Sequence, residues 1–165
     1  MPAVETLSVL IGCQHAADAS RSDDRSGLVY TEEYLVSRGA PLSIGMPKTG
    51  RRFPLLRLSA WMEGLLPDNP QVVEQQRRLF GVKGRSSFDL LATPMGMDCA
   101  GAVQFCFPHR VATVADRGGG VEWLDDRDLA SLVSSLTLAN STWLGGRTFG
   151  QFSLVGAQAK TALQF

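Results

Sequence analysis

The sequence has few cysteines, no excess charge of either sign and no long apolar run. Its 165 residues include three cysteines, 16 basic and 16 acidic side chains, so the formal net charge is zero. An odd number of cysteines argues against a disulfide framework and favours a reducing compartment, and hence a cytoplasmic location. Zero net charge gives no global attraction to nucleic acid or to a membrane surface. No run approaches the roughly 20 apolar residues of a membrane-spanning helix.

The cysteines suggest two special sites, and the surrounding residues favour neither. Cys99, Cys106 and His109 are candidate metal ligands, but their spacing matches no closed zinc pattern. Cys106 lies in an alternating apolar run, which favours a buried thiol. Residues 10–13 resemble a lipoprotein processing site, but the preceding stretch lacks a basic region and a sufficient apolar run. We therefore predict neither a metal centre nor a signal peptide.

The order of the predicted elements indicates an α+β fold. Apolar residues make up 44% of the chain and charged residues 19%, which is typical of a globular protein with a real core. The length fits one domain, or one domain and a fragment. Two strands, a helix and a strand are followed by three helices, a strand, a linker, a helix and a hairpin. We expect a small mixed sheet with a cluster of short helices.

The first fifty residues predict three strands and one short helix. The strands are expected at residues 7–11, 27–30 and 41–47. Residues 16–26 are small, polar and charged, so they predict a loop or a ragged hairpin. Thr31 is a plausible helix N-cap, followed by two glutamates that favour the positive end of the helix dipole, and the helix is expected to end at Gly39. Arg51 and Arg52 follow in a basic turn, for which a solvated position is favoured over contact with DNA or a partner.

The middle of the sequence predicts three helices and a strand. The first helix has an apolar face formed, from Phe53 onward, by Leu58, Trp61, Met62 and Leu65. The second begins at Asn69 as N-cap, with Pro70 at its first position. Its expected buried side consists of Val72, Val73, Leu79 and Phe80. Ser86 or Ser87 caps the third helix, 93–99 is a loop, and 101–107 alternate as a strand.

The last part of the sequence predicts a linker, a helix and a hairpin. Residues 110–124 contain three consecutive glycines and form the linker. Asp125 or Asp126 caps the helix. Its apolar face is formed by Leu129, Leu132, Val133 and Leu136. The 150–165 stretch consists of two short β runs around a turn at Gly156, and most such hairpins have no further role. A Walker-type phosphate loop is excluded, because Ala159 and not glycine precedes Lys160.

Five segments, taken in order, resemble the N-terminal part of HipA-type toxin kinases, the serine/threonine kinases of bacterial toxin–antitoxin pairs. They are 41–47 (PLSIGMP), 65–70 (LLPDNP), 88–91 (FDLL), 99–103 (CAGAV) and 153–163 (SLVGAQAKTAL). Each is a weak pattern, but together they extend over nearly the whole chain and are specific. The resemblance implies three units. These are a HipA-like N-terminal subdomain at 1–109, a linker at 110–124, and a helix with the first, glycine-rich hairpin of an incomplete kinase lobe at 125–165.

The resemblance also implies a nucleotide site. It places Val155, Gly156, Ala157 and Gln158 over the phosphates of ATP, and Lys160 adds a positive charge. The ATP would be bound with magnesium when the rest of the kinase lobe is present. Ser153 matches the serine on which the family autophosphorylates. A phosphate there would add roughly −1.5 to −2 charges and disfavour a loop packed near ATP phosphates. The sequence departs from its relatives at Ala159, where they often carry Glu or Pro.

A protein kinase also needs a lysine on the following strand, an aspartate base, and an asparagine and an aspartate for magnesium. In the family these residues come after the point at which this sequence ends, and no segment here can substitute for them. We therefore assign no catalytic residue and expect the 165 residues alone to phosphorylate nothing. The end of the sequence within a predicted strand favours the N-terminal part of a longer enzyme.

Three functional hypotheses follow. The first is the N-terminal portion of a HipA-like kinase toxin. The second is a stand-alone, antitoxin-like module that binds and restrains a separate kinase. The third is an α+β domain with a fortuitous likeness to the family. Under the first two, the resemblance implies a helix-turn-helix antitoxin or a separate kinase subunit as partner. DNA is then reached only indirectly through the antitoxin, and no membrane is involved.

Overall fold

The structure is a computed structural model that describes residues 5–22, 26–97, 99, 102–116 and 123–138. The strands are β1 (Thr6–Ile11), β2 (Gln14–Ser20), β3 (Gly27–Tyr30), β4 (Arg52–Pro54) and β5 (Val103–Cys106). The helices are α1 (Glu32–Val36), α2 (Leu55–Glu63), α3 (Pro70–Leu79), α4 (Ser87–Leu91), α5 (Val111–Ala115) and α6 (Asp126–Leu138). Short 3-10 helices occupy Pro94–Met97 and Pro108–Arg110.

The five strands form one sheet in the order β4-β3-β2-β1-β5. All of its pairings are antiparallel, so the sheet is not the mixed one that we expected. Short connections account for the β1–β2 and β2–β3 pairings, since parallel neighbours need a long crossover. The α+β class itself is confirmed.

The expectation of a loop or ragged hairpin at 16–26 was wrong for residues 16–20, because they belong to β2. A tight turn at Gly12 and Cys13, both with positive φ (52° and 67°), leads from β1 into β2. Ala16, Ala17 and Ala19 on β2 are fully buried in the main core. Alanine is less frequent in strands than in proteins overall, so these residues gave only a weak signal for a strand. Small side chains fit here because other elements pack closely against this strand.

The expectation of a strand at 41–47 was also wrong. The segment is a compact turn with an isolated antiparallel bridge between Ser43 and Met46. The prolines at both of its ends have no N–H group to donate to a β ladder. The hydroxyl of Tyr30 on β3 binds the turn instead. It donates to the carbonyl of Met46 at 2.7 Å and accepts from the backbone N–H of Leu42 at 2.8 Å.

The predicted helix starts are largely confirmed. The hydroxyl of Thr31 accepts from the N–H of Tyr34, and the carboxamide oxygen of Asn69 accepts from the N–H of Gln71 at 2.9 Å. Ser86, and not Ser87, caps α4, and Asp125, and not Asp126, accepts from the N–H of Asp128 in α6. These short polar side chains satisfy N–H groups that lack an intrahelical partner. Helix α1 ends at Val36, before Gly39.

The predicted apolar faces are confirmed for α2 and only in part for α3. In α2, Leu58 and Met62 are buried, and Trp61 and Leu65 pack against them at the edge of the core. Phe53 precedes this helix as part of β4. In α3, Val72 is buried and Val73 and Phe80 are partly buried, but Leu79 is 60% exposed. The fourth buried position belongs to Gln76, because it lies one turn beyond Val72 on the same stripe.

The main core lies between one face of the sheet and helices α2 and α4. Its largest members include Leu7, Tyr30, Leu58, Met62, Phe88, Leu91 and Phe105. The ring of Trp61 tilts against that of Phe105, with centroids 5.7 Å apart. The guanidinium of Arg21, just after β2, reaches the carboxylate of Asp89 on α4 at 2.6 Å and lies over the Phe88 ring. The sheet and α4 are therefore joined by charge as well as by apolar contact.

The opposite face of the sheet carries a smaller cluster. Helix α5 lies within the predicted 110–124 linker, and its Val114 is 1% exposed against Leu10 and Cys106. The first residues after 109 therefore pack on the sheet and do not begin a purely extended connector. Residues 117–122 and the predicted hairpin at 150–165 lie outside the described residues. The division of the chain at 109 and 124 stays a prediction.

Three hydrogen-bonded polar side chains lie beside this smaller cluster. Ser8 donates its hydroxyl hydrogen to Asp18 Oδ1 at 2.7 Å, and His15 Nε2 lies 2.9 Å from the same oxygen. The hydrogen bond to Asp18 raises the pKa of His15 above its ordinary value of 6.5, and the Asp18 charge adds to this although burial opposes it. Burial tends to raise the pKa of Asp18, but hydrogen bonds from His15 and Ser8 outweigh it and lower that pKa.

We expect Tyr30→Phe to lower the free energy of unfolding by about 1–3 kcal/mol, because it leaves the buried Leu42 N–H and Met46 carbonyl without their shared partner. Urea denaturation measures the loss. Tyr34→Phe is the matched control, since it removes one hydrogen bond, to the carbonyl of the exposed residue Ala40. An equal or larger loss for Tyr34→Phe would contradict the assignment.

We expect stability to fall as pH rises above the ordinary histidine pKa of 6.5, because His15 loses the proton that Asp18 favours in the folded state. A group whose pKa is raised by folding stabilises the folded state fully at pH values below its unfolded pKa. This stabilisation is lost as the pH rises above the folded pKa. The lowered pKa of Asp18 acts in the opposite range, so its contribution disappears only in acid. Urea denaturation should show a flatter pH profile for His15→Gln than for the parent chain. Identical slopes for His15→Gln and the parent chain would refute this origin.

Candidate functional site

The nucleotide site that the sequence predicts lies outside the described residues. This holds for Ser153, Val155, Gly156, Ala157, Gln158 and Lys160. Their roles therefore stay predictions. The described residues contain most of the other four segments that carry the family resemblance, and the structure determines what those segments do.

The four segments meet in one place, although they are distant in sequence. Each contributes to the main core, through Leu42 and Met46, Leu65 and Leu66, Phe88 and Leu91, and Cys99 and Val103. Cys99 also forms an isolated bridge with Val103 at the entrance to β5. These side chains are apolar and buried or partly buried, so they fix the packing of helices on the sheet. The buried residues of these four segments therefore identify a fold, whereas Ile44 of the first segment is exposed.

The cysteines form no metal centre with their neighbours in this part of the chain. No three histidine, cysteine, aspartate or glutamate side chains are grouped as ligands among the described residues. Burial raises the pKa of the Cys106 thiol, with a smaller opposing effect from Arg110. A neutral thiol beside Leu10 and Val114 is an apolar packing group. The expectation of a buried thiol at Cys106 is confirmed.

Ser8, His15 and Asp18 have the residue types of a catalytic triad but not its geometry. In a triad the histidine lies between the serine and the carboxylate. Here Ser8 and His15 both contact Oδ1 of Asp18, so the carboxylate lies between them. Ser8 is almost completely buried in β1. The group ties β1 to β2, and we assign it a structural role.

A candidate binding surface occurs where the end of α1, the 41–50 loop and the start of α2 come together. We call it the loop surface and define it by Val36, Arg38, Ile44, Leu56 and Arg57. Its three apolar side chains are among the most exposed large ones described, at 87% for Val36, 98% for Ile44 and 82% for Leu56. Isolated exposed apolar residues are common, but three on the elements joined by one loop make this the candidate binding surface of the described residues.

Specific contacts hold the loop surface together. Arg57 Nη1 donates to the carbonyl of Gly45 at 3.0 Å, which joins the start of α2 to the turn that presents Ile44. Lys48 Nζ donates to the carbonyls of Ser37 and Gly39 at 2.7 and 3.1 Å, at the end of α1. The same ammonium lies 4.7 Å from the centre of the Tyr34 ring. The loop is thereby fixed to both helices.

Sequence reasoning missed this surface and considered the basic turn at Arg51 and Arg52 instead. Arg51 forms an ion pair with Glu32 at 2.9 Å on the exposed surface. Arg77 donates to the carbonyls of Gly84 and Arg85 and so fixes the loop before α4. The only sequence signal for the loop surface was Ile44, an apolar residue between Ser43 and Gly45 in a segment with proline at both ends. An extended strand would have buried it.

The family comparison matches most of the described domain. The model of the HipA N-terminal domain matches residues 7–106. No curated protein matches the chain. Among solved structures, a chain from the Shewanella oneidensis MR-1 complex of the toxin–antitoxin proteins HipA and HipB with operator DNA matches with a TM-score of 0.55 and 20% identity. The match covers 78% of this chain and 29% of that chain, and at this identity it supports the fold alone.

One further observation concerns membranes. Within the described ranges, no helix combines the length and apolar character needed to cross a bilayer.

The family match extends from β1 to the end of β5 and so includes the complete sheet and the four segments that meet in the core. Because it covers more than half of the 165 residues, the chain belongs to the HipA N-terminal domain family.

Proposed function

We propose that this chain is the N-terminal portion of a HipA-like serine/threonine kinase toxin. The observation that carries the proposal is the family match over residues 7–106, together with the packing of four resemblance segments in one core. The solved structure that it resembles contains a toxin, an antitoxin and operator DNA. The chain spans about 29% of the length of that structural relative, so a kinase of this type would need a further catalytic part.

In this proposal the domain formed by residues 1–109 contacts the partner proteins. The partner is a helix-turn-helix antitoxin, which brings the complex to DNA, and the chain itself reaches DNA only indirectly. The zero net charge supports this, since direct binding to DNA depends on an excess of basic side chains. The three cysteines form no disulfide, which agrees with the proposed cytoplasmic location.

The 153–160 segment would begin the nucleotide site. Backbone N–H groups of Val155, Gly156, Ala157 and Gln158 would bind the phosphates of ATP, and Lys160 would add positive charge. Small residues suit this role because they let the backbone approach anionic oxygens closely. ATP with magnesium supplies a transferable phosphoryl group when it is bound. This chain's own residues would bind and orient the nucleotide, and phosphorylation of Ser153 would oppose that binding by charge repulsion.

A second candidate function is a stand-alone module that binds and restrains a separate kinase. The observation that favours it is the completeness of the described domain. It has its own five-stranded sheet and a main core, and α5 covers part of the second sheet face. Such a module would need none of the nucleotide-binding residues. Both candidate functions would use the loop surface. They differ in whether a catalytic part is joined to this domain in the same chain.

The mass of the native protein distinguishes the two candidates. We expect material captured from its source with an antibody against residues 53–91 to have an intact mass well above the 17.8 kDa of this chain, because the kinase proposal requires a catalytic part. Mass spectrometry makes the measurement, and the purified 165-residue chain is the standard. A native mass of 17.8 kDa would overturn the kinase proposal and favour the binding module.

The proposed nucleotide site is tested in the native-length protein. We expect Gly156→Asp to weaken the affinity for ATP with magnesium by about tenfold or more, because it adds bulk and a negative charge beside the phosphates. Isothermal titration calorimetry measures the change. Gly119→Ala, in the predicted linker, is the control and should bind ATP normally. Unchanged ATP affinity in Gly156→Asp would remove Gly156 from the site.

A further inference from the structure

The stretch of sequence that contains the loop surface is basic, although the whole chain is neutral. Residues 31–57 contain five basic side chains and two acidic ones, a net charge of +3, whereas the complete sequence is neutral. Both acidic residues lie in the first turn of α1, and one of them, Glu32, is paired with Arg51. The guanidinium groups of Arg38 and Arg57 are at exposed positions beside the exposed Val36, Ile44 and Leu56. The surface therefore combines excess positive charge with apolar area.

The apolar side chains are held in exposed positions by the fold. Ile44 is at the tip of a turn whose two sides are closed by the Ser43–Met46 bridge. The Tyr30 hydroxyl fixes the turn from the core side and Arg57 fixes it from α2. A turn held at three places has little freedom to fold Ile44 inward. A binding surface that is already ordered loses little conformational entropy on association.

From these observations the geometry points to the loop surface as the docking site for an acidic, apolar segment of a partner protein. This inference rests on the proposed function, in which this domain binds a partner, and it names the surface and the chemistry of the segment. Acidic side chains of the segment would lie against Arg38 and Arg57. Its apolar side chains would cover Ile44 and Leu56. Charge complementarity of this kind guides association, and the apolar contact supplies affinity.

Two other occupants fit less well. A second copy of this chain would place Arg38 and Arg57 of one surface against the same arginines of the other, which disfavours a symmetric contact. A nucleic acid would match the charge, but phosphates gain nothing from covering three apolar side chains. Two of the basic groups, Lys48 and Arg51, are already bound to Ser37, Gly39 and Glu32. A protein segment with both acidic and apolar residues uses the whole surface.

Photo-crosslinking in the source cell tests the inference with the native protein. Benzoylphenylalanine is placed at position 44 or 56, and at position 79 on α3 as the control. Leu79 is also an exposed apolar residue, at 60%, and lies outside the loop surface. We expect adducts from 44 and 56, but not from 79, on one acidic segment of a single partner protein, identified by mass spectrometry. Adducts from 44 on nucleic acid, or on a second copy of this chain, would overturn the inference.

Affinity measurements with that purified partner provide the second test. We expect Ile44→Asp and Arg38→Glu each to weaken binding about tenfold, since they oppose the apolar and the charged part of the contact respectively. The matched controls are Leu79→Asp and Arg85→Glu, at exposed positions outside the loop surface. Because Ile44 and Arg38 are exposed, their variants should unfold at the parent's urea midpoint, which separates lost binding from lost folding.

The two levels of the proposal fail differently. If a partner co-purifies with the native protein but Ile44→Asp and Arg38→Glu bind it normally, the loop surface is wrong and the proposed function stands. If no partner protein co-purifies with the native protein, the loop surface and the partner-binding part of the proposed function are both wrong, and the kinase part is decided by the native mass. If the controls weaken binding as much as the loop-surface variants do, docking occurs elsewhere. Weaker binding at high salt, with the loop-surface variants less sensitive than the parent, would support the charge complementarity.

Discussion

The hydroxyl of Tyr30 provides the constraint on which much of this structure depends. It lies at the end of β3 and binds both the N–H of Leu42 and the carbonyl of Met46. A segment with proline at both ends cannot satisfy its polar groups in a regular ladder, so a side chain from the core satisfies them. The same two bonds place Leu42 and Met46 inside the core and Ile44 outside it. One buried hydroxyl thus determines both the packing and the exposed surface of the loop.

Local signals were sufficient for much of the fold. Thr31 and Asn69 cap helices as predicted, because an N-cap depends on a side chain and the next few N–H groups. The strand at Thr6–Ile11 and the face of α2 follow from short-range periodicity. Prediction failed where tertiary packing decided the outcome. The alanines of β2 are in a strand because other elements pack closely there, and Leu79 is exposed because Gln76 occupies the buried stripe.

The candidate site was less predictable than the fold, since contacts between distant residues create it. Arg57 binds the carbonyl of Gly45, and Lys48 binds the end of α1. No spacing rule relates these residues, so their arrangement could not be obtained from the sequence. The nucleotide loop is the opposite case. Ser153 and the residues from Val155 to Lys160 are assigned from resemblance to a family, and their roles remain predictions that the described residues do not test.

The resemblance to the family lies mostly in core residues, and this limits what it indicates about binding. Four of the five segments that carry the resemblance contribute side chains to the main core, where they fix how the helices pack on the sheet. Core residues are constrained by packing, whereas recognition depends on exposed side chains. Val36, Ile44 and Leu56 are exposed, and two of them lie outside every resemblance segment. A shared core can therefore carry different surfaces in different members of the family. Partner choice would then depend on a few exposed apolar and basic side chains, which can change without disturbing the fold beneath them.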